Sequence, residues 1–339
     1  MKFRSIILLL SISFLFGQYR DIPEVVTKVA TSAGNWLKLE TSARAIGMGG
    51  SFVASGRGVS GIPYNPSSIG FIEKSEAYFS AVNYLAGIQH GVFTFGTKIT
   101  PSDFAGLHIF YLNSGTMPVT NEYYPDGTGE DFSVISMAIR GTYARQLTDR
   151  LKVGTSLNYI RDQIYEAGMQ TVSFDVGSNF DTGIYGVILG MSITNFGPDV
   201  QYNGESLHIT VPDTIDVDER VSKITDKFPL PLVFRLGVEN ELMGPNSVFM
   251  NNPVHSLRVS IDGIKPSDYD VYGGAGLEYG WQSLAFLRGG VHLNHDTAGL
   301  SFGGGLNLRL GRMALAVDYA FVDYDVLKTT HQVAIGIQF

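Results

Sequence analysis

The sequence predicts an all-β membrane protein: a 14-stranded antiparallel outer-membrane β-barrel with an N-terminal plug inside the lumen. Three observations carry this. The chain ends on His331–Phe339, where Val333, Ile335, Ile337 and Phe339 alternate with Gln332, Ala334, Gly336 and Gln338. Period two is the mark of a strand with one apolar face. Second, hydrophobic residues make up 44% of the chain and charged residues only 17%, with 40 Gly, 21 Phe and 17 Tyr. Soluble domains carry about 25% charged residues, so this balance suits short strands between two apolar surroundings. Third, alternating segments recur from residue 75 to the end. An edge strand of a soluble sandwich is the other reading of the last nine residues alone. The remaining segments favour closure, because an open sheet leaves unpaired backbone at both edges, costing several kcal/mol per group in hydrocarbon.

Residues 1–17 read as a secretory signal, with Lys2 and Arg4 before an apolar run from Ile6 to Phe16 and a small residue, Gly17, at its end. The formal net charge is -8; removing the signal takes two positive charges and leaves about −10. Neither value provides the basic face that nucleic acid requires. There are no cysteines, which excludes disulfides, thiolate chemistry and cysteine-based zinc sites.

Residues 18–73 form a lead segment without strand periodicity. Asp21-Ile22-Pro23-Glu24 has the residues of a helix start, with Val25, Val26 and Val29 on one side and Gly34 as the stop. Thr41 or Ser42 is placed to cap a second short helix through Ile46, which Gly47, Gly49 and Gly50 then break. Asn65-Pro66 predicts a turn. The glycines do not form a phosphate loop: no Gly-x-x-x-x-Gly-Lys is present, and Phe52 stands where Gly-x-Gly-x-x-Gly needs its third glycine.

Residues 74–339 form the barrel domain. Strands are expected near 75–85, 89–98, 104–113, 132–145, 149–161, 170–180, 185–195, 229–240, 254–263, 269–279, 283–292, 298–310, 312–322 and 331–339. Alternation is clean in several. Val172, Phe174, Val176 and Phe180 oppose Ser173, Asp175, Gly177 and Asn179; Leu230, Leu232, Phe234, Leu236 and Val238 oppose Arg235, Gly237 and Glu239. The first four strands and 254–263 are less clear, and a one-residue slip would swap their faces. Long and short connections alternate as they do in outer-membrane barrels, with the two longest, 114–131 and 196–228, on one side; the tight 86–88 and the long 241–253 are exceptions. Within 196–228, residues Asp216 to Ile224 have a helical spacing of Val217, Val221 and Ile224. This acidic loop reads equally as solvated chain or contact surface.

The run Ala43-Arg44-Ala45-Ile46-Gly47-Met48-Gly49-Gly50-Ser51-Phe52-Val53-Ala54, followed by Tyr64-Asn65-Pro66, resembles the lead-segment motif of the PorV/PorQ family within the FadL-like outer-membrane barrels. Strand number and the terminal Phe339 agree with that resemblance but are generic to barrels. It departs from the family's pattern near Arg57–Gly58, where an acid is usual, and at Ser67 in place of alanine. The resemblance implies a plug built on Ala43, Arg44, Gly47, Met48, Gly49, Gly50, Asn65 and Pro66. With it, Ile335, Ile337 and Phe339 are read as the barrel-closing C-terminal signal. An outer-membrane location in a Gram-negative-type bacterium follows. Small residues suit a segment packed in a narrow lumen, and Arg44 is expected to pair with Asp175, Glu278 or Asp318.

Two functions follow from the resemblance. A PorV-type protein acts in type IX protein secretion, binding the C-terminal signal domain of exported proteins and handing them to the surface-attachment machinery. Its partners would be secreted cargo and other secretion-system subunits, reached through loops 114–131 and 196–228, besides outer-membrane lipid. A FadL-type protein transports hydrophobic small molecules and needs an apolar pocket at the outer mouth and a way past the plug or sideways. A lateral gap at 193–204 or at Gly106 would serve, although glycine in a strand also marks a simple bend. No cofactor or metal is expected. His292-Leu293-Asn294-His295-Asp296 is the one histidine cluster, and a solvated loop tip is the simpler reading. No Ser-His or paired-carboxylate arrangement points to an enzyme.

Overall fold

A computed structural model describes residues 28–211, 219–222 and 224–339. The expected signal at 1–17 and the helix start at Asp21–Glu24 lie outside the described residues. Fourteen long strands form the wall: β1 (Ser75–Asn83), β2 (Gln89–Lys98), β3 (Asp103–Asn113), β4 (Val134–Gln146), β5 (Leu151–Ile164), β6 (Ala167–Asp181), β7 (Val187–Phe196), β8 (Val233–Gly244), β9 (His255–Pro266), β10 (Tyr272–Trp281), β11 (Ala285–Leu293), β12 (Leu300–Leu310), β13 (Met313–Asp323) and β14 (Thr329–Gln338). Each pairs antiparallel with its chain neighbours, and β14 pairs with β1 from Glu76↔Gln338 to Asn83↔His331. The strand order therefore closes into a ring, as a spanning sheet requires. Among the described residues no helix is long and apolar enough to cross a membrane.

The alternation sorts as expected. Val172, Phe174, Val176 and Phe180 are exposed, while Ser173, Asp175 and Asn179 are buried. In β14, Val333 and Ile335 point outward and Gln332 and Ala334 inward. The ambiguous strands were ambiguous for a physical reason. β1 to β3 carry large apolar residues on both faces: Phe79, Leu107 and Tyr111 lie outside, but Tyr78, Val92, Phe104 and Phe110 are buried inside. The inner set packs with Ile62, Ile69 and Ile72 of the lead segment in one core.

Differences from expectation lie at strand ends. β8 begins at Val233, not at 229, because Pro229 and Pro231 have no N–H for a ladder. Leu230 is consequently buried rather than turned to lipid. β5 and β6 run further than expected and meet at a two-residue turn, Tyr165-Glu166, replacing the loop placed at 162–169. The helix expected at 216–224 is not formed by Glu219–Ser222, which pair antiparallel with His208–Val211; the intervening 212–218 lie outside the described residues. Gly106 does not open the wall. It pairs regularly with Gly96 and Thr142, and a Cβ there would sit 3.0 Å from Ile62.

Ile335 is 42% exposed, and its ladder partners Phe79 and Val317 are outward apolar residues too. Ile335→Arg is expected to destabilise the barrel by about 2–4 kcal/mol in lipid vesicles, the cost of a cation near the bilayer midplane. A denaturant titration in vesicles measures this; an unchanged midpoint would remove Ile335 from the lipid belt.

Candidate functional site

The lead segment contacts inward-facing residues all around the ring, which places it in the lumen. Ser42 caps the helix Ala43–Gly47, accepting from the Ala45 N–H at 3.4 Å. Gly49 (φ 63) and Gly50 (φ 73) then turn the chain in the left-handed region that glycine tolerates. Asn65 caps a 3₁₀ turn over Pro66–Phe71 by accepting from the Ser67 N–H at 3.1 Å. Its amide also donates to Oδ1 of Asn179 in β6 at 2.8 Å. Pro66 lies directly against Gly154 of β5. Across the lumen, Asp262 of β9 accepts from the Phe52 and Val53 N–H groups at 2.6 and 2.7 Å.

Met48 and Gly49 run along the inner wall where it is bare. A Cβ at Gly276 or Gly290 would overlap their backbone, so these two wall glycines are what allow the approach. Beside them sits an ion-pair ladder. Arg44 donates from Nε and Nη2 to the two carboxylate oxygens of Glu278 at 2.7 and 2.8 Å. Glu278 also accepts from Arg288 at 2.7 Å, and Arg288 reaches Asp318 at 2.5 Å. Arg57 bonds Glu239 at 2.7 Å, and Arg258 stands 3.7–3.8 Å from Glu278 and Glu239. Of the three carboxylates expected for Arg44, Glu278 is the direct partner; Asp318 is joined through Arg288, and Asp175 faces Arg140 at 3.7 Å.

The C-terminal residues close the ring. Phe339 N–H donates to the Ser75 carbonyl at 3.1 Å, and its ring lies 6.4 Å from that of Phe95. Ile335 and Ile337 sit on the outer face of the same strand, with Ile337 less exposed.

At the end of the barrel bearing the long loops, the described residues leave a cavity of about 450 Å³. Its walls include Leu39, Tyr84, Tyr269, Tyr272, Tyr324 and Leu327. The tyrosines form two edge-to-face pairs: Tyr84 with Tyr324, centroids 6.0 Å apart, and Tyr269 with Tyr272 at 5.9 Å. Besides the tyrosines, the polar lining residues are Asn35, Lys38, Glu40, His292, His295, Asp296 and Thr297. Lys38 donates to both Asp268 oxygens at 2.9 and 3.0 Å. His292 presents Nε2 to Glu40 at 3.6 Å and Nδ1 to the Gly299 carbonyl at 3.3 Å. His295 Nδ1 accepts from the Thr297 and Ala298 N–H groups at 3.3 and 3.0 Å. Burial, then the neighbouring His292, lowers the His295 pKa, so its ring is neutral at pH 7. The histidine cluster thus belongs to a cavity wall, not a solvated tip. Among the described residues no group of three or more His, Asp or Glu side chains is arranged to hold a metal ion.

The wall itself is irregular at β7. The β6–β7 register slips between Phe174 and Val176, where Asn195 adopts φ 63 and its N–H donates to Asp175 at 2.7 Å. Beyond Phe196 the outer part of β6 pairs only through Ala167 and Gly168 with Gly204 and Asn203. The stretch 193–204 is therefore where regular pairing of the wall lapses. The sequence singled out that stretch; it did not reveal the cavity, whose Tyr84, Tyr269 and Tyr324 come from three separate loops and whose Tyr272 begins β10.

No family model matches the chain, and no curated protein matches it. Solved structures do. The toluene transporter TbuX of Ralstonia pickettii superposes with a TM-score of 0.57 at 13% identity, over 88% of this chain and 98% of that one. The Pseudomonas putida toluene transporter TodX gives 0.55 at 12%, over 88% and 97%. A FadL homologue of Pseudomonas aeruginosa gives 0.54 at 12%, over 88% and 98%. None of these is described as a secretion component, so the PorV-type role implied by the lead-segment motif gains no support from them. At such identities the likeness is one of fold: the chain is a closed 14-stranded antiparallel β-barrel that shares its fold with these outer-membrane proteins.

Proposed function

We propose that this barrel conducts hydrophobic small molecules across the outer membrane, with the lead segment as its plug. The observation that carries the proposal is the 450 Å³ cavity at the long-loop mouth, where four tyrosines and aliphatic side chains share the wall with a smaller set of polar and charged groups. Ligand sites of small molecules are concave, mostly apolar and furnished with a few placed polar groups. The fold it shares with two toluene transporters is consistent with such cargo. The lumen behind the cavity is filled by the buried lead segment, so a straight apolar path is blocked. A hydrophobic molecule would favour a lateral exit into lipid over an ion-lined lumen, and we place that exit at the irregular pairing beside β7, where Gly197 would have to part from Val172 and Ser173.

The test is to purify the protein gently from its own membrane and identify what accompanies it. A small apolar molecule, released on unfolding and displaced by aromatic hydrocarbons, is expected. A secreted protein held by the loops, with no small molecule bound, would replace this reading by the secretion role.

A further inference from the structure

The mouth cavity carries a charge that a purely hydrocarbon cargo would not use. Glu40 Oε2 is buried and has no hydrogen-bond partner, and neither has the Asn35 Oδ1 that lines the same space. The other Glu40 oxygen has only His292 beside it, at 3.6 Å, too far for a hydrogen bond. One oxygen of this carboxylate thus meets neither solvent nor a donor, although the side chain as a whole is 21% exposed. The backbone holds it there: Gly50, with φ 73, passes directly beneath the carboxylate where any Cβ would collide with it.

The charges facing the cavity sum to a negative field. Glu40 and Asp296 are the lining carboxylates, and the lining Lys38 is already paired with the buried Asp268. His295 is neutral, so even a protonated His292 leaves the balance negative. Both orphan atoms are acceptors. The four tyrosine rings add negative π-faces, which attract a cation. A fatty acid carboxylate would meet repulsion here.

Resting on the transport reading above, we propose that the cavity selects hydrophobic amines, bound as ammonium ions with the head group at Glu40 and Asn35 and the apolar body among the tyrosines. The experiment compares three probes of one skeleton, 4-phenylbutylamine, butylbenzene and 4-phenylbutyrate, by calorimetric titration of the full barrel in nanodiscs. The amine is expected to bind about tenfold more tightly than butylbenzene, the acid more weakly than either. Glu40→Gln should remove the amine's advantage and leave butylbenzene within about twofold. Folding is checked by heat-modified gel mobility, and the wild-type ranking decides the matter without any variant. Saturable butylbenzene binding with no preference for the amine overturns the amine assignment and leaves the transport reading standing. No saturable binding of any probe overturns both.

Discussion

Arg44→Ala is expected to lower the temperature at which the folded barrel converts to its slower-migrating unfolded form, by a loss of about 3 kcal/mol. The reason is what remains behind. Glu278 is 3% exposed and accepts two parallel hydrogen bonds from Arg44. Bidentate pairs of this kind are among the strongest charge-assisted contacts. Breaking a buried pair from one side typically costs about 3–5 kcal/mol, since the surviving charge stays buried. Arg288 at 2.7 Å and Arg258 at 3.7 Å still serve Glu278, which places the loss at the lower end. Arg44→Lys keeps the charge but not the fork, and should fall between. Removing both partners, Arg44→Ala with Glu278→Ala, should recover part of the loss, because no orphan carboxylate is left. If the conversion temperature of Arg44→Ala equals that of the wild type, the ladder does not anchor the lead segment.

How much of this was visible beforehand depends on the range of the interaction. Strand positions were legible because lipid on one side enforces period two, as at Val172 to Phe180. The signal faded in β1 to β3, where the lead segment supplies a second apolar environment for Val92, Phe104 and Phe110. Local turn chemistry was also legible: Ser42, Gly49 and Asn65 act where their types suggest. Partner choice was not. Arg44 had three inward carboxylates open to it, and only the closed ring brings β10 and its Glu278 next to residue 44. The mouth cavity was hidden for the same reason. Tyr84, Tyr269 and Tyr324 are far apart in sequence, and each alone is an ordinary rim aromatic. Glu40 gave no sign at all, being a lone acid in a polar-apolar mixture. Within the helix expected at 216–224, the described Glu219–Ser222 are strand instead, because apolar residues at helical spacing weigh less than pairing with His208–Val211.

Gly290→Val is expected to drive the lead segment off the wall and open the barrel. The glycine stands on β11 opposite Met48 and Gly49, whose backbone occupies the space a side chain would need. Overpacking a core usually costs about 1–3 kcal/mol, because side chains change rotamer to make room. Here the obstructing atoms are backbone, held by the Gly49 N–H to Ser301 Oγ bond at 3.0 Å and by the Asp262 clamp on Phe52 and Val53. No rotamer change relieves that contact, so the segment must shift as a unit and surrender those bonds. The wall is paired on both sides of β11 and retains its ladders. Gly290→Val should therefore still migrate as a folded barrel, while the lead segment becomes cleavable by protease and planar bilayers show a steady ion current. Gly289→Ala is the control: its Cβ meets nothing within 4 Å, and it should match the wild type in both assays. A folded Gly290→Val barrel that stays protease-resistant and non-conducting would mean that residues 48–50 do not seal the lumen, and the ion-pair ladder alone would then have to hold the plug in place.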